Sequence, residues 1–232
     1  MITGDSTWML SDVARHERGL DTLLRIGGPQ AAAPITAMND IAPDLVRFAI
    51  DFAYGEVLSR PGLDLKMRQL CTVAALSAMG TAMPQLRWHI DGALNVGWAP
   101  SDILDAVMLS AVNTGSAVIG RSLSTAREVF EARGAGAADL AALDDASARW
   151  CEIPPVFESL ELDQRTKALI SIAALTAVAN APARLKAHIR AALDAGASRD
   201  QVIEVIEQMA VYAGFPAALN GIAAARDSFE GQ

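Results

Sequence analysis

The chain has 232 residues, of which 52% are apolar and only 5% aromatic, and its formal net charge is −8. An acidic protein has no electrostatic field that attracts phosphate backbones, so this composition argues against nucleic-acid binding. A core with few aromatic side chains is built mainly from Ala, Leu, Ile and Val, which favours packed helices over a β-sandwich. We therefore expect an all-α fold.

The mean hydropathy of +0.25 is high for a chain with 20% charged residues. Apolar runs such as 168–179 and 106–112 are shorter than the roughly 20 residues of a membrane span, and the first residues do not resemble a signal peptide. Cys71 and Cys151 have neither disulfide-framework nor zinc-site spacing. We expect reduced thiols in a cytoplasmic protein without membrane contact, whose apolar excess is buried between subunits.

The first segment, 1–44, is predicted to be an N-terminal helical leader. Its helical pattern covers 11–25 and stops before Gly27-Gly28-Pro29, since glycine and proline interrupt helices. A second helix is predicted over 43–58.

The remainder of the chain contains an internal repeat with an offset of 99 residues. Leu86, His89 and Ile90 match Leu185, His188 and Ile189, and the alignment runs without a gap from 66 to 131. We expect a first unit at 45–133, a linker at 134–149 and a second unit at 150–232, with a short helix around 139–150 that leads into the second unit. Each unit has the pattern of four helices, so the two units are expected to pack as a pseudo-symmetric body.

Local signals mark several helix ends. Gly80 and Gly97 are predicted C-terminal glycines, and Pro100 suits the first turn of a helix. Ser198 and Gln201 have the spacing of a capping box. Breaks near 113–115 and 212–214 should separate the third helix of each unit from the fourth.

The segment 54–64, together with Arg68 and the Leu-x-x-His pattern at 86–97, resembles the carboxymuconolactone decarboxylases. The second unit repeats that pattern at 185–196, and its residues 202–218 also resemble the sequence of that family. This resemblance implies an AhpD-like helical bundle of two pseudo-symmetric repeats. It also implies a cofactor-independent lyase that decarboxylates a small cyclic carboxylate, such as 4-carboxymuconolactone or a related lactone, in the breakdown of aromatic compounds.

The AhpD-like peroxidases of the same family carry a CxxC ahead of this histidine. Here the equivalent positions hold Ala82 and Gln85 in the first unit, and Ala181 and Arg184 in the second. Dithiol chemistry needs a thiolate pair, so the peroxidase activity is disfavoured.

The implied reaction needs a cation to hold an anionic substrate, donors for a developing oxyanion, and a proton donor. It needs neither metal nor organic cofactor. His89 is the expected proton donor, because imidazole titrates closest to neutrality. The candidate catalytic residues are His89, Glu56 and His188, and the candidate substrate-binding residues are Arg68, Arg47, Tyr54, Trp88 and Trp98.

Each candidate also has an ordinary structural interpretation. A histidine can satisfy a helix end in the core, an arginine or glutamate can form a surface ion pair, and tyrosine or tryptophan can be packing residues. The second unit has Ile153 and Pro155 where the first has Tyr54 and Glu56, so if one unit has lost its site we expect it to be the second.

Two other functions remain open at this point. One is a different enzyme on the same scaffold, such as a thiol-independent redox or cyclising enzyme of a biosynthetic pathway. The other is a non-catalytic oligomeric binding protein. Relatives of this kind form rings of single units, so a homotrimer of the duplicated chain is favoured and a dimer is the next choice.

Overall fold

The computed structural model describes residues 12–114, 118–149 and 160–230, and over these ranges all regular secondary structure is helical. The all-α prediction is therefore confirmed. The chain divides into two compact units, Met1–Pro61 and Gly62–Gln232. By their contacts, residues 45–61 therefore group with the leader. The domain boundaries expected from the sequence, at 44, 133 and 149, stay predictions.

Three α-helices and one π-helix are described between residues 12 and 61 of the first unit. They are α1 (Asp12–Gly27), α2 (Ala33–Thr36), α3 (Pro43–Phe48) and the π-helix Ala49–Val57, which continues α3 directly. A Cβ on Gly19 would lie 2.3 Å from the carbonyl oxygen of Ile50, and one on Gly55 would lie 2.4 Å from that of Arg15. The two glycines therefore let α1 and the π-helix approach closely. The helical prediction over 43–58 is confirmed, but its π geometry was not foreseen.

Eight helices are described in the second unit, and their bounds show the repeat. They are α4 (Leu65–Met79), α5 (Met83–Asn95), α6 (Pro100–Thr114), α7 (Ile119–Ala132), α8 (Ala137–Arg149), α9 (Gln164–Val178), α10 (Pro182–Asp194) and α11 (Arg199–Glu230). Helices α4 and α5 recur 99 residues later as α9 and α10, and α11 starts 99 residues after α6.

Helix α11 contains two of the predicted helices. Gly214 has non-helical dihedrals (φ 83°, ψ 166°) and Pro216 follows it, so the helix is interrupted where the first repeat ends α6. Its length and apolar composition alone would suit a membrane span, but 44% of the apolar window is buried within the protein.

Helix ends are capped by predicted and by additional residues. Asp64 and Asp163, which were not predicted as caps, accept hydrogen bonds from the third backbone N–H of α4 and α9, at 2.7 and 2.9 Å. Ser198 and Gln201 form the reciprocal capping box, with both distances 3.1 Å. Gly80 ends α4 in the left-handed conformation (φ 65°). These caps satisfy backbone groups that helix ends leave unpaired.

Helices α4 and α9 pack against each other in the middle of the second unit. Both are nearly fully buried and rich in alanine; Ala74, Ala75, Ala173 and Ala174 are at most 1% exposed. Helix α6 packs on α9 as well as on α4, and α11 packs on α4 as well as on α9. The third helix of each repeat therefore reaches the first helix of the other repeat, which determines where polar groups from the two repeats meet.

Candidate functional site

A buried polar cluster lies where α4, α5 and α11 meet. It combines residues of both repeats, because α11 belongs to the second repeat and the other two helices belong to the first. We call it the first cluster; its members are Arg68, Gln69, Thr72, His89, Glu204, Gln208 and Tyr212.

Arg68 is fully buried, and each nitrogen of its guanidinium makes a hydrogen bond. Nη2 lies 2.6 Å from Oε2 of Glu204, Nη1 donates to Gln208 at 3.3 Å, and Nε donates to the carbonyl of Leu63 at 3.1 Å. A buried guanidinium is tolerated only when it is paired in this way. Arg68 therefore connects α4 of one repeat to α11 of the other.

The same interface positions Tyr212 beside His89. Nε2 of Gln208 donates to the Arg68 carbonyl at 2.9 Å and to Oγ1 of Thr72 at 2.8 Å. The Thr72 hydroxyl lies 3.2 Å from that of Tyr212, whose oxygen lies 3.4 Å from Nε2 of His89. The rings of Tyr212 and His89 meet edge to face at 5.5 Å. A continuous polar path thus runs from Arg68 to the imidazole.

His89 lies within the core, at 3% exposure. Its Nδ1 is 2.8 Å from Oε1 of Gln69. Since a carbonyl oxygen only accepts, this contact places the imidazole proton on Nδ1 and leaves the Nε2 lone pair facing Tyr212. Burial lowers the pKa of His89 to about 3, so the imidazole is neutral at pH 7.

The pseudo-equivalent positions form a second cluster with different chemistry. Its members, 99 residues from those of the first, are Asp105, Leu109, Asn113, Lys167, Ala168, Ser171 and His188. Ala168, Leu109 and Asn113 replace Gln69, Gln208 and Tyr212, so the amide beside the histidine, the bridging amide and the phenol are all missing.

The second cluster keeps a side-chain contact, because Nδ2 of Asn113 donates to Oγ of Ser171 at 2.8 Å, and its charged residues bind backbone groups. Nζ of Lys167 donates to the Leu160 carbonyl at 2.7 Å, and the Asp105 carboxylate accepts from the N–H of Glu161 at 2.7 Å. His188 is partly exposed, and its pKa is lowered by burial and then by the charge of Arg184. That a lost site would belong to the second repeat stays a prediction.

Glu56, Tyr54 and Arg47 lie in the first unit. The Glu56 carboxylate is 3.2 Å from Nε of Arg15. Tyr54 is buried, and burial raises its pKa. Arg47 is exposed, 3.6 Å from Asp44. Their proposed roles toward a substrate stay predictions.

The two candidate tryptophans, Trp88 and Trp98, have different surroundings. Trp88 is partly exposed, and its ring lies 4.8 Å from that of His89 in an edge-to-face contact. Trp98 donates from its indole to the Lys66 carbonyl at 2.7 Å and stacks under the Lys66 ammonium at 4.3 Å. Trp88 thus adjoins the first cluster, while Trp98 contacts the start of α4.

Cys71 is fully buried in α4, and burial raises the pKa of its thiol to about 12, so it is a packing residue and not a nucleophile. Over the described ranges, His, Cys, Asp and Glu form no group of three that could hold a metal ion. Cys151 lies outside the described residues.

Sequence reasoning did not single out Gln69, Glu204, Gln208 or Tyr212 as site residues. A signal was present, because the 99-residue alignment shows different residues opposite three of them: Ala168, Leu109 and Asn113. The alignment cannot show that α11 packs against the first repeat. The composite nature of the cluster therefore required the structure.

Comparison with known proteins agrees with the resemblance. The model of the "Carboxymuconolactone decarboxylase family" matches residues 43–128 and 156–227. A 4-carboxymuconolactone decarboxylase of Acinetobacter baylyi is 29% identical over 123 residues, which cover 53% of this chain and 91% of that protein. An uncharacterised 15.0 kDa protein of Paracoccus denitrificans is 28% identical over 95 residues, or 40% of this chain and 71% of that protein. Peroxisomal protein 2 of Schizosaccharomyces pombe is 28% identical over 96 residues, or 41% of this chain and 45% of that protein.

Proposed function

Because this chain belongs to the carboxymuconolactone decarboxylase family, we propose that it is a cofactor-independent carboxy-lyase acting on a small cyclic carboxylate, such as 4-carboxymuconolactone or a related lactone. The observation that carries this proposal is the buried imidazole of His89, oriented by Gln69 and faced by the hydroxyl of Tyr212. The activity named for the Acinetobacter baylyi relative supports the substrate class.

The reaction breaks the bond between a ring carbon and its carboxylate. Its electron pair moves through the ring double bond towards the lactone carbonyl oxygen, and carbon dioxide leaves. A proton then adds to a ring carbon, so one proton is consumed for each carbon dioxide released. The protein must therefore stabilise an oxyanion and deliver one proton.

His89 is the proposed proton donor, but it starts from the neutral form. An anionic substrate nearby favours the imidazolium and thereby raises the pKa of His89. Nε2 then takes up a proton as substrate binds and passes it to the ring carbon, which restores the neutral imidazole. The hydroxyl of Tyr212, next to Nε2, is suited to donate a hydrogen bond to the developing oxyanion.

Arg68 is proposed to act as a positioning residue. Its guanidinium hydrogen-bonds to Glu204, Gln208 and the Leu63 carbonyl, which holds α11 and hence Tyr212 beside the imidazole. This role accounts for the complete burial of Arg68.

The proposal is tested by incubating the purified chain with 4-carboxymuconolactone and measuring carbon dioxide release and substrate loss. Enzymatic turnover is expected, without added metal or cofactor and in the presence of a chelator. Related lactones that lack the carboxylate serve as negative controls, because they have no bond to break. Absence of turnover with every carboxylated lactone supplied would refute the proposed reaction.

A further inference from the structure

The first unit exposes a row of large apolar side chains. Leu45, Phe48 and Phe52 are exposed and recur every three or four residues along α3 and the π-helix. This spacing places them on one side of the helical segment, and Ile41, just before α3, is exposed as well. We call these four residues the apolar stripe. A contiguous exposed apolar row of this kind is typical of a contact surface.

The last part of α11 has a second exposed apolar surface. Phe215 and Leu219 are more than 60% exposed and lie four residues apart, and Ala223, four residues further on, is also exposed. We call these three residues the α11 face. The first repeat has Gly120 and Ser124, both exposed, at the positions of Leu219 and Ala223. The repeated fold therefore does not require an apolar surface at this place.

Acidic residues border the apolar stripe. Between residues 40 and 52 the chain has Asp40, Asp44 and Asp51 but a single basic residue, Arg47, so this segment has a net charge of −2. Asp40 and Asp44 are both exposed. Two copies of the stripe in contact would bring these carboxylates together, and like charges oppose such a contact. The same charges make the stripe poorly suited to an anionic lipid surface.

Helix α10, which packs against α11, has the opposite charge. It contains three basic residues and one acidic residue, a net charge of +2 in a chain whose total is −8. The basic residues are Arg184, Lys186 and Arg190. Residues 215–227 of α11 add one charge of each sign, Arg226 and Asp227, so the sum stays +2. Helix α5, the counterpart of α10 in the first repeat, has one charge of each sign and is neutral. Apolar surface and positive charge thus occur together in the second repeat.

We propose that the apolar stripe of one copy of the chain packs against the α11 face of a second copy. The contact buries apolar surface on both sides, and the acidic border of the stripe faces the basic helix α10. A contact between two different faces either repeats around a ring or occurs twice in a twofold pair. None of its residues except those of α11 lies on an element of the first cluster, and none belongs to that cluster, so the contact stands apart from the proposed reaction.

Cross-linking of two variants tests which faces meet. Full-length Phe48→Cys and Leu219→Cys chains, both also carrying Cys151→Ser, are co-expressed with different tags and treated with a short bis-maleimide. Cys71 is fully buried and therefore protected. We expect a covalent dimer of about 49 kDa, twice the 24.4 kDa of one chain, that carries both tags. Dimers formed by either variant expressed alone would show that like faces meet and would overturn the proposal, as would the lack of any cross-linked product.

Sedimentation velocity measures the contribution of each face. Phe48→Ser and Leu219→Ser should each weaken self-association by about tenfold or more, because burying such a side chain has about that effect on an equilibrium constant. Val13→Ser, at a similarly exposed position of α1 outside the stripe, is the matched control and should change self-association by less than about twofold. Thermal unfolding checks that each variant folds. Equal weakening in all three variants, or none in the first two, would overturn the proposal.

Two further measurements address the charges and the other possible occupant. Asp40→Lys/Asp44→Lys should weaken self-association by about threefold or more, because it places lysines opposite α10, and an unchanged constant would contradict the proposed pairing. No co-sedimentation of the wild type with phosphatidylserine vesicles is expected. Co-sedimentation that Leu219→Ser abolishes would assign the α11 face to lipid and overturn the proposal.

Discussion

The imidazole of His89 illustrates how one residue depends on neighbours that are distant in sequence. The surrounding Leu-x-x-His pattern was sufficient to select it as a candidate. Its burial was not predictable, because the hydroxyl that faces Nε2 belongs to Tyr212, 123 residues later. The consequence is a histidine that is neutral at pH 7 before substrate binds.

This neutral state predicts a pH dependence of stability. The pKa of His89 is about 3 in the folded chain against about 6.5 when unfolded, so the unfolded state binds the proton more tightly between these values. The stability contributed by neutral His89 is fully present above about pH 6.5 and is lost as pH falls towards 3, with a slope of up to about 1.4 kcal/mol per pH unit.

Urea unfolding between pH 4 and pH 7 measures this slope. His89→Gln should remove most of the part of this slope that comes from the titration of one group. His188→Gln should reduce it less, because burial also lowers the pKa of His188 but that side chain is partly exposed. Equal slopes in the wild type and His89→Gln would contradict the neutral, buried state.

At the scale of elements, the contact between α4 and α11 depends on the buried pair of Arg68 and Glu204. Arg68→Met leaves the Glu204 carboxylate without its cation, and we expect a loss of about 3–5 kcal/mol of unfolding free energy. Arg68→Met combined with Glu204→Leu should recover part of that loss. Arg47→Met, at an exposed ion pair, should change stability by less than about 1 kcal/mol.

Denaturant unfolding of these variants separates the two kinds of pair. A loss below about 1 kcal/mol for Arg68→Met would contradict its role in joining the two repeats. Circular dichroism before unfolding verifies that each variant retains its helices.

The ends of α4 and α9 provide another comparison between the repeats. Gly80 ends α4 in the left-handed conformation, and Ala179 does so for α9 with φ 55°. An alanine in this conformation costs about 1 kcal/mol, so Ala179→Gly should stabilise the chain by roughly that amount. Gly80→Ala should instead destabilise it, because the added Cβ would lie 2.4 Å from Val118.

Thermal unfolding gives the sign of each change. A lower melting temperature for Ala179→Gly would show that the conformational strain at this residue is offset by contacts of its methyl group. For Gly80→Ala, an unchanged melting temperature would contradict the close packing against Val118.

For the whole molecule, the 99-residue alignment predicted most of the architecture. Local sequence patterns account for three of its features: the matching bounds of α4 and α9, the glycine at position 80 and the capping box at 198. The π geometry of 49–57 has no such local signal. The assembly of the first cluster also lay beyond the sequence, because spacing along the chain does not show which repeat α11 contacts.

The apolar content of the chain leads to a proposed assembly. Leu45 and Phe48 in the first unit are more than half exposed, and Phe52 is 37% exposed. We propose that such side chains are covered in a homotrimer, with a dimer as the next choice. Light scattering should give a mass of about 73 kDa, three times the 24.4 kDa of one chain. A monomer at micromolar concentration would contradict the proposal.

We propose that the complete site is the one assembled at His89 from residues of both repeats. The most direct measurement compares decarboxylation of 4-carboxymuconolactone by His89→Gln and His188→Gln, since these two histidines are pseudo-equivalent. Loss of the proton donor should lower kcat/KM of His89→Gln by about 10²–10⁴-fold, while His188→Gln should stay within about threefold of the wild type. Equal losses in the two variants, or a larger loss in His188→Gln, would contradict the account.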